Sequence, residues 1–490
     1  MNSVSAATLY IDYIARLLVI IDSFPLKAKQ LFALHDFLNI ANVAKKEFEA
    51  LWKLDEKNFF LSLDAKISQL ESSQTQDRYV TAYVLCIEMD ACITFVDVCD
   101  KNKVSLYPII PVKKNNPIIR TTPLNNNCSN TKIEIHPKFE VYQIDESIYG
   151  EQKTRAMSNK DAFSGINGYL THISYTKSTD DYSVIDIVLD PPDSFDGKEI
   201  SIGFSPLTNQ EVVDFSEGIM QVQGISLKTN AVKGIKSTKR DNLKKRFESA
   251  WNAACKKQVD IVFFPELLGL DEFETNQYSF NSYIKALSEQ AIEKGLNPPK
   301  VTFLPSYCSE EANRISVVYQ NGKLIGRQNK LYPYVDTNGY KMEAVRTTDR
   351  IQIVVLHLPG VHRIATLICS DYLTCSLEMQ AKLFADLGIT LLLVPSYSKG
   401  EQDFINKLTD LKKYGTSVVW GNCCGATKPK RIIGGCCVAA LDSINRFDEV
   451  AKCDNECKQG CIFITRIPLR IKRILRERVE IENLIVQEKL

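Results

Sequence analysis

Three reactive residues in the second half of the chain each follow an apolar, strand-like run. Glu266 ends the run Ile-Val-Phe-Phe-Pro-Glu, Lys330 follows Gly-Arg-Gln-Asn, and Cys369 ends the run Ala-Thr-Leu-Ile-Cys. Side chains from distant segments converge at the strand ends of α/β sheets. We therefore expect Glu266, Lys330 and Cys369 to lie together.

The chemistry of such a trio is coherent. A cysteine thiol is a strong nucleophile near neutral pH when its proton can be removed. Glu266, partly desolvated behind Phe263 and Phe264, would take that proton. Lys330 would supply a fixed positive charge that favours the thiolate and stabilises an oxyanion. The set predicts acyl transfer from a carbon–nitrogen substrate without histidine.

Each of the three residues has a less specific interpretation when it is taken alone. A cysteine at the end of a buried strand is usually a small core residue. Phe-Pro-Glu alone is typical of a surface turn with an exposed carboxylate, and a lone lysine after a strand is usually solvated. The occurrence of all three after successive strands favours the catalytic interpretation.

The elements that would position these residues begin at about residue 217, where short apolar strands alternate with helical segments. An Asn-Gly pair at 321–322 predicts a hairpin turn. The pattern predicts one α/β domain over residues 217–475. The main predicted strands are Gly218–Gln223, Val259–Phe264, Ile351–Leu358 and Ile389–Val394, and the main predicted helices are Lys239–Lys257, Thr275–Lys294 and Ser376–Leu387.

The first half of the chain has a different pattern. Residues 1–112 contain no glycine and a helical spacing of apolar residues, which predicts a helical domain that packs or binds a partner. Residues 113–216 are interpreted as a linker and a small β-rich segment, with a β-branched strand at Ser183–Leu189. Residues 476–490 are interpreted as a C-terminal tail.

Composition limits the classes of function. The chain has 490 residues, 60 Lys plus Arg against 59 Asp plus Glu, 15 Cys and 5 His. A net charge of +1 argues against a nucleic-acid partner, and the longest early apolar run, Leu17–Ile21, is too short to cross a membrane. The dilute, odd number of cysteines and the lack of a basic signal-peptide start predict a cytoplasmic protein with free thiols.

Several motifs of the second half resemble those of the nitrilase superfamily, the carbon–nitrogen hydrolases. Val-Phe-Phe-Pro-Glu266, Asn-Lys330-Leu and Leu-Ile-Cys369-Ser-Asp are similar to its glutamate, lysine and cysteine motifs, in the family order. Gln221-Val-Gln223 resembles its opening strand, and Gly-Ile-Thr-Leu-Leu-Leu-Val-Pro-Ser396 resembles the strand after its cysteine helix.

The resemblance implies an α-β-β-α sandwich, commonly paired through its helices, and a covalent thioester or thioimidate at Cys369. It also implies that the backbone N–H of Ser370 shares the oxyanion with Lys330, and that Glu343 is the candidate second active-site glutamate. It implies no cofactor. Ser370 stands where members usually carry a bulky aromatic residue, and Cys436 stands where serine is common.

Other polar features are interpreted as structural. Cys453, Cys457 and Cys461 are evenly spaced rather than paired, and a metal site would need Cys436 or Cys437 as a fourth ligand, so no metal is predicted. His357 and His362 flank a Pro-Gly turn and are expected to be solvated or structural. The basic segment Arg470–Arg478 is expected to be a solvated face or a subunit contact.

Two hypotheses follow. The first is a cysteine-dependent hydrolase that acts on a small amide, ureido or carbamoyl compound, or less favourably a nitrile, as a homo-oligomer. The second is a sensor or scaffold, in which residues 1–112 bind a partner or drive assembly and the nitrilase-like domain is the effector. Fusions of that kind occur in bacterial antiphage defence.

Overall fold

The computed structural model describes residues 3–25, 34–94, 104–105, 118–121, 124, 133–138, 165–168, 170, 172–177, 182–189, 199–208, 210–222, 224–270, 277–308, 313–336, 341–343, 351–358, 361–375, 377–426, 432–439, 444–445, 448–449 and 460–468. The predicted tail 476–490, the basic segment Arg470–Arg478, Cys453 and Cys457 lie outside these residues.

Four helices form the N-terminal unit: α1 (Ser3–Asp22), α2 (Phe37–Trp52), α3 (Glu56–Ser72) and α4 (Asp77–Ala91). The Asp55 side chain caps α3 by accepting a 3.1 Å hydrogen bond from the Asn58 N–H. The buried faces of the helices meet in one apolar cluster that also takes in strands following the helices. Burial of these apolar faces is what stabilises the helices.

The other helices are α5 (Arg240–Lys256), α6 (Gln277–Glu293), α7 (Ser370–Thr374), α8 (Leu377–Gln380) and α9 (Glu401–Lys407). Helix α8 continues into a π-helical turn over Ala381–Asp386. In the part of the chain that the structure describes, no helix has the length and apolarity needed to cross a membrane.

The strands, in chain order, are β1 (Ile93–Thr94), β2 (Val104–Ser105), β3 (Ile118–Thr121), β4 (Ile133–Pro137), β5 (Ile173–Lys177), β6 (Tyr182–Leu189), β7 (Glu199–Phe204), β8 (Val213–Val222), β9 (Ile225–Ile235), β10 (Ile261–Phe263), β11 (Val301–Phe303), β12 (Tyr307–Cys308), β13 (Asn313–Tyr319), β14 (Leu324–Asn329), β15 (Val335–Asp336), β16 (Lys341–Glu343), β17 (Ile351–Leu358), β18 (His362–Thr366), β19 (Leu391–Ser396), β20 (Ser417–Asn422), β21 (Gly434–Cys437), β22 (Ile444–Asn445), β23 (Asp448–Glu449) and β24 (Phe463–Pro468).

Two sheets of eight strands contain most of these strands. Sheet A has the order β12-β13-β11-β10-β7-β24-β23, with β14 paired to β13. Sheet B has the order β22-β21-β20-β19-β18-β17-β6-β3. A smaller sheet C has the order β15-β16-β9-β8, and the pairs β1-β2 and β4-β5 stand apart from it.

Sheets A and B pack face to face. A Cβ atom on Gly421 of sheet B would lie 2.3 Å from the ring of Phe204 of sheet A, so only glycine permits this close approach. Successive residues of a strand point to opposite faces, so Trp420 points outward, where it stacks on Phe404 of α9 with 5.1 Å between ring centroids.

The outer face of sheet A is covered in the same way. Phe263 packs against Phe204 on the inner face, with ring centroids 4.8 Å apart. Its neighbour Phe264 points outward and meets Phe247 of α5 at 4.7 Å. Helices therefore lie outside both sheets, which gives the layer order helix, sheet, sheet, helix.

The structure places the start of the α/β unit differently from the sequence interpretation. The described residues of the predicted opening strand Gly218–Gln223, up to Val222, fall in β8 of sheet C, in a hairpin with β9. Within sheet A it is β7, before the predicted boundary at residue 217, that pairs in parallel with β10. Strands β3 and β6 of sheet B also precede that boundary. Strands β7 and β8 lie close together in sequence, and both have an alternating pattern. The β8-β9 hairpin lies between β7, which belongs to sheet A, and α5.

Candidate functional site

The ends of strands from both sheets bring the three predicted residues together. Glu266 follows β10, Lys330 follows β14, and Cys369 follows β18. All three are buried, with residue exposures of 2%, 6% and 6%. Lys330 Nζ contacts Glu266 Oε1 at 2.7 Å, and Glu266 and Cys369 each shift the pKa of the other, so the three residues lie close together.

Cys369 lies in a strained turn between β18 and α7. Its backbone has φ 52° and ψ −109°, a conformation that residues other than glycine rarely adopt. Its N–H donates to the Pro395 carbonyl at 2.9 Å, which ties the turn to the end of β19. Strain at a buried thiol of this kind is typical of a nucleophile presented at the end of a sheet.

The Asp371 carboxylate fastens this turn to the segment that follows Lys330. It accepts hydrogen bonds from the backbone N–H groups of Leu331 and Tyr332, both at 2.9 Å, and from that of Ile368 at 3.3 Å. Burial raises the pKa of Asp371 to about 7, although these donors and Lys330 favour its charged form. Asp371 thus links the cysteine and lysine segments.

A second strained turn holds Glu266. Leu267 has φ 65°, and its N–H donates to the Ser306 hydroxyl at 2.8 Å. The Ser306 N–H donates to the Pro265 carbonyl at 3.1 Å, so both sides of Glu266 are fixed by one serine. A Cβ atom on Gly269 would lie 2.7 Å from the Tyr307 backbone, so this loop is closely packed against β12.

One lysine lies between two carboxylates at the centre of the site. Lys330 Nζ donates to Glu266 Oε1 at 2.7 Å and to Glu343 Oε2 at 2.5 Å. Glu343 is carried by β16 of sheet C, and its Oε2 also accepts the Tyr334 N–H at 3.0 Å. The structure thus places the accessory candidate Glu343 beside Lys330.

Asn313, which sequence reasoning missed, joins the same network. Its Nδ2 donates to Glu266 Oε1 at 2.8 Å and to Glu343 Oε1 at 3.2 Å. The Lys330 N–H donates to the Asn313 carbonyl at 2.7 Å. The predicted turn at Asn321-Gly322 gave a usable signal, since counting the hairpin pairs back from that turn places Asn313 opposite Lys330.

The backbone N–H of Tyr397 lies between the candidate base and the candidate nucleophile. It donates to Glu266 Oε2 at 3.2 Å, and it also acts on the Cys369 thiol in the direction that lowers the pKa of that thiol. The thiol and the Glu266 carboxylate lie near enough that each shifts the pKa of the other. Glu266 is therefore the candidate acceptor of the Cys369 proton. No sequence signal pointed to Tyr397.

Burial and charge set the protonation of these groups. Burial raises the pKa of Glu266; Lys330 opposes this rise and Glu343 adds to it. Burial alone would lower the pKa of Lys330, but the two glutamates hold that pKa well above its ordinary value. Burial, aided by Glu266 and opposed by Lys330, raises the pKa of the Cys369 thiol well above its ordinary value.

Lys330 favours the thiolate of Cys369, as expected from the sequence, but burial and the charge of Glu266 outweigh that effect. The resting pair is therefore a protonated thiol beside a carboxylate of raised pKa. Such a pair generates its nucleophile by proton transfer during attack rather than as a standing thiolate.

The remaining predicted residues have clear positions. Ser370 is buried as the first residue of α7, directly after Cys369. Among the described residues, no group of three or more His, Cys, Asp or Glu side chains is placed to hold a metal ion. Cys436 is buried and shares a 3.1 Å hydrogen bond with the Thr465 hydroxyl, and Cys461 is also buried.

A second buried polar cluster lies between sheet B and the β4-β5 pair. The Asp186 carboxylate contacts His136 Nδ1 at 2.8 Å and His357 Nε2 at 2.7 Å. His136 also contacts the Thr176 hydroxyl at 3.2 Å, and His362 Nδ1 contacts that of Thr390 at 3.0 Å. Both histidines that flank the predicted turn, His357 and His362, are therefore buried and structural rather than solvated.

No protein-family model matches this sequence, and no curated protein matches it. Among solved structures, the chain is similar to an amidase from Nesterenkonia sp., at 12% identity and TM-score 0.35, over 58% of this chain and 97% of that chain. A cysteine-to-alanine mutant of the Nesterenkonia AN1 amidase, from the nitrilase superfamily, has the same TM-score and coverage at 14% identity. A mutant of that amidase in complex with butyramide matches at 12% identity and TM-score 0.34, over 58% and 97% of the two chains. Identities and TM-scores are low, so the function proposed below rests on the site itself.

Proposed function

We propose that the protein is a cysteine-dependent hydrolase of non-peptide carbon–nitrogen bonds, with a nitrilase-type α/β unit. One observation carries the proposal. A buried thiol in a strained turn lies near a buried carboxylate that is itself held by a lysine. That arrangement contains a nucleophile, a base and a fixed positive charge within one water-poor site.

The first step forms a covalent bond to Cys369. Its sulfur attacks the substrate carbonyl carbon while its proton passes to Glu266. Negative charge develops on the carbonyl oxygen, and Lys330 Nζ and the Ser370 N–H are the donors we assign to it. The Tyr397 N–H stabilises charge on the sulfur while the proton is in transit.

The second step breaks the carbon–nitrogen bond. Glu266 returns the proton to the departing nitrogen, which leaves as an amine or ammonia, and the acyl group remains as a thioester on Cys369. Water then attacks the thioester with Glu266 again taking a proton. The carboxylic acid leaves, and the proton held by Glu266 restores the thiol.

Glu343 is assigned a supporting role. Glu266 and Glu343 share one lysine, so the ammonium group stays charged at a depth where burial alone would favour its neutral form. The charge of Glu343 also raises the pKa of Glu266, which makes Glu266 a stronger base and brings its pKa closer to the pH at which it must also return the proton.

The substrate class that fits this chemistry is a small amide, ureido or carbamoyl compound. Each has a carbonyl carbon for the thiol and a nitrogen leaving group that needs a proton. A nitrile is the narrower alternative, because its attack by the thiol would give a thioimidate and needs an additional hydration step.

The test is release of ammonia or amine from a panel of small amides, ureas and carbamoyl compounds. Wild type is expected to turn over at least one member, while Cys369→Ala, Glu266→Gln and Lys330→Met are inactive and fold normally by circular dichroism. Cys255→Ala, which removes a buried thiol from α5, is the matched control and keeps full activity. Full turnover by Cys369→Ala would overturn the proposal.

The sensor or scaffold hypothesis makes the opposite forecast in this assay. A scaffold would release no nitrogen from any compound of the panel, and Cys369→Ala would keep whatever partner binding the wild type has.

A further inference from the structure

We propose that Asn313 is a positioning residue that selects which oxygen of Glu266 receives the thiol proton. This inference rests on the function proposed above. The sequence motifs pointed to Glu266, Lys330, Cys369, Glu343 and Ser370 and not to Asn313, which is placed at the site by the β13–β14 hairpin.

The neighbouring carboxylates fix the orientation of the Asn313 amide group. Asn313 is fully buried, and its Nδ2 donates to both Glu266 and Glu343. Turning the amide around would place its oxygen against two carboxylates, so charge fixes the nitrogen on their side. Its Oδ1 is buried and accepts no hydrogen bond from the described residues. Leaving a buried acceptor unpaired costs free energy, so the contacts to the carboxylates outweigh that cost.

The two oxygens of Glu266 differ in how many of their acceptor sites are occupied. A carboxylate oxygen has two lone pairs. Oε1 uses both, because it accepts from Lys330 at 2.7 Å and from Asn313 at 2.8 Å. Oε2 accepts the Tyr397 N–H at 3.2 Å and keeps one lone pair. Because Lys330 and Asn313 occupy both acceptor sites of Oε1, Oε2 is the oxygen left to take the proton of the Cys369 thiol.

The Asn313 side chain also affects the ionisation of Glu266. The side chain of Asn313 adds a donor to a place where two carboxylates share one lysine, and it adds no charge. It favours the ionised form of Glu266, against the rise in pKa that burial produces. Asn313 therefore holds Glu266 in place and limits how far the pKa of Glu266 rises.

The backbone and side-chain roles of Asn313 are separable. The Lys330 N–H bonds to the backbone carbonyl of Asn313, which any substitution retains. A side-chain substitution therefore tests the amide group while the main-chain link between the strands stays in place.

The experiment measures the rate at which iodoacetamide alkylates Cys369, by peptide mass spectrometry across a pH series, and kcat and KM on any amide turned over. Asn313→Ala is expected to lower kcat about 10- to 100-fold with little change in KM, the effect of one hydrogen bond to a charged group. The acid limb of the alkylation profile moves to higher pH, because Glu266 loses a donor that favours its charged form.

Asn313→Asp is expected to move that limb further, since the introduced carboxyl group adds a third negative charge. Ser316→Ala, on the same strand and equally buried, is the matched control and leaves the profile unchanged. If Asn313→Ala does not fold, Asn313→Ser is the test variant, and its acid limb is expected to move in the same direction by a smaller amount. An acid limb at the wild-type pH in the folded variants overturns the inference. If the acid limbs of the alkylation profiles shift but wild type turns over no amide, the positioning role of Asn313 is supported and the proposed function is overturned.

Discussion

Two buried clusters of ionisable groups in this protein have opposite compositions. In the carboxylate–lysine site, Lys330 lies between Glu266 and Glu343. In the histidine–aspartate cluster, Asp186 lies between His136 and His357. Burial and short contacts are common to both, so neither property alone marks a place where chemistry occurs.

The backbone separates the two clusters. The carboxylate–lysine site is built after strand ends, next to positive φ angles at Leu267 and Cys369. Asp186 and His357 lie within the paired strands β6 and β17. Strain persists only where surrounding structure holds it, and here it accompanies the nucleophile.

The direction of the pKa shifts also separates them. Glu266 and Cys369 both have raised pKa values, which leaves a proton available to move between them. Burial would raise the pKa of Asp186, but the two histidines more than offset it and hold that pKa below its ordinary value. The first cluster is poised for proton transfer, whereas the second keeps one fixed state that joins β4 to sheet B.

The largest expected contrast is between Glu266→Gln and Asp186→Asn in the activity assay. Glu266→Gln is expected to lower kcat about 10²- to 10⁴-fold, the usual contribution of a general base. It should leave thermal stability equal or higher, because two carboxylates no longer share one lysine. Asp186→Asn should keep the wild-type kcat. An active Glu266→Gln variant would remove the distinction between the clusters.

The next contrast is in stability. Asp186→Asn is expected to lower the free energy of unfolding by about 3 kcal/mol, since it removes the carboxylate from two buried partners. Urea unfolding followed by circular dichroism measures this loss. Unchanged stability would show that the histidine–aspartate cluster does not anchor β4 to sheet B.

The histidine–aspartate cluster also predicts acid sensitivity. Burial lowers the pKa of His357 below its ordinary value, although Asp186 opposes the shift. The unfolded chain then binds a proton that the folded chain refuses, so stability falls as the pH drops below about 6.5. Asp186, whose pKa is lowered in the folded protein, adds a further loss of stability only below about pH 4. Urea unfolding across a pH series should show a flatter profile between pH 5 and about 6.5 for His357→Gln; equal slopes would count against this origin.

The smallest expected effect is at the edge of the same cluster. Thr176→Val removes the 3.2 Å contact from the Thr176 hydroxyl to His136 and keeps the side-chain volume. It is expected to lower the free energy of unfolding by about 1 kcal/mol, the usual net value of one hydrogen bond. Chemical denaturation measures the change, and a loss as large as that of Asp186→Asn would mean that the threonine shares the anchoring role.

The carboxylate–lysine site was more accessible from sequence than the histidine–aspartate cluster. Glu266, Lys330 and Cys369 each follow an apolar run, and strand ends of α/β sheets are where such residues meet. The helical character of the N-terminal segment and the hairpin turn at Asn321-Gly322 were similarly visible from local patterns. Local patterns succeed where the deciding interactions lie within a few residues.

Other features depend on distant partners. Asp186 interrupts a β-branched strand and looks like a solvent-facing residue until His136, 50 positions earlier, is brought onto it. The opening strand was placed at Gly218–Gln223 because Gln221-Val-Gln223 resembles the opening strand of the nitrilase superfamily, whereas Glu199–Phe204 is the strand that pairs in parallel with β10. The contact of the Tyr397 N–H with Glu266 is a backbone contact that no residue type signals.

The most direct test of the central claim is acid-quenched mass spectrometry of the protein during turnover of a small amide, with peptide mapping of all thiols. We predict an acyl adduct on Cys369 alone among the cysteines, present in wild type and absent in Cys369→Ala. Steady turnover with no adduct on Cys369, or an adduct on another thiol that survives in Cys369→Ala, would contradict it.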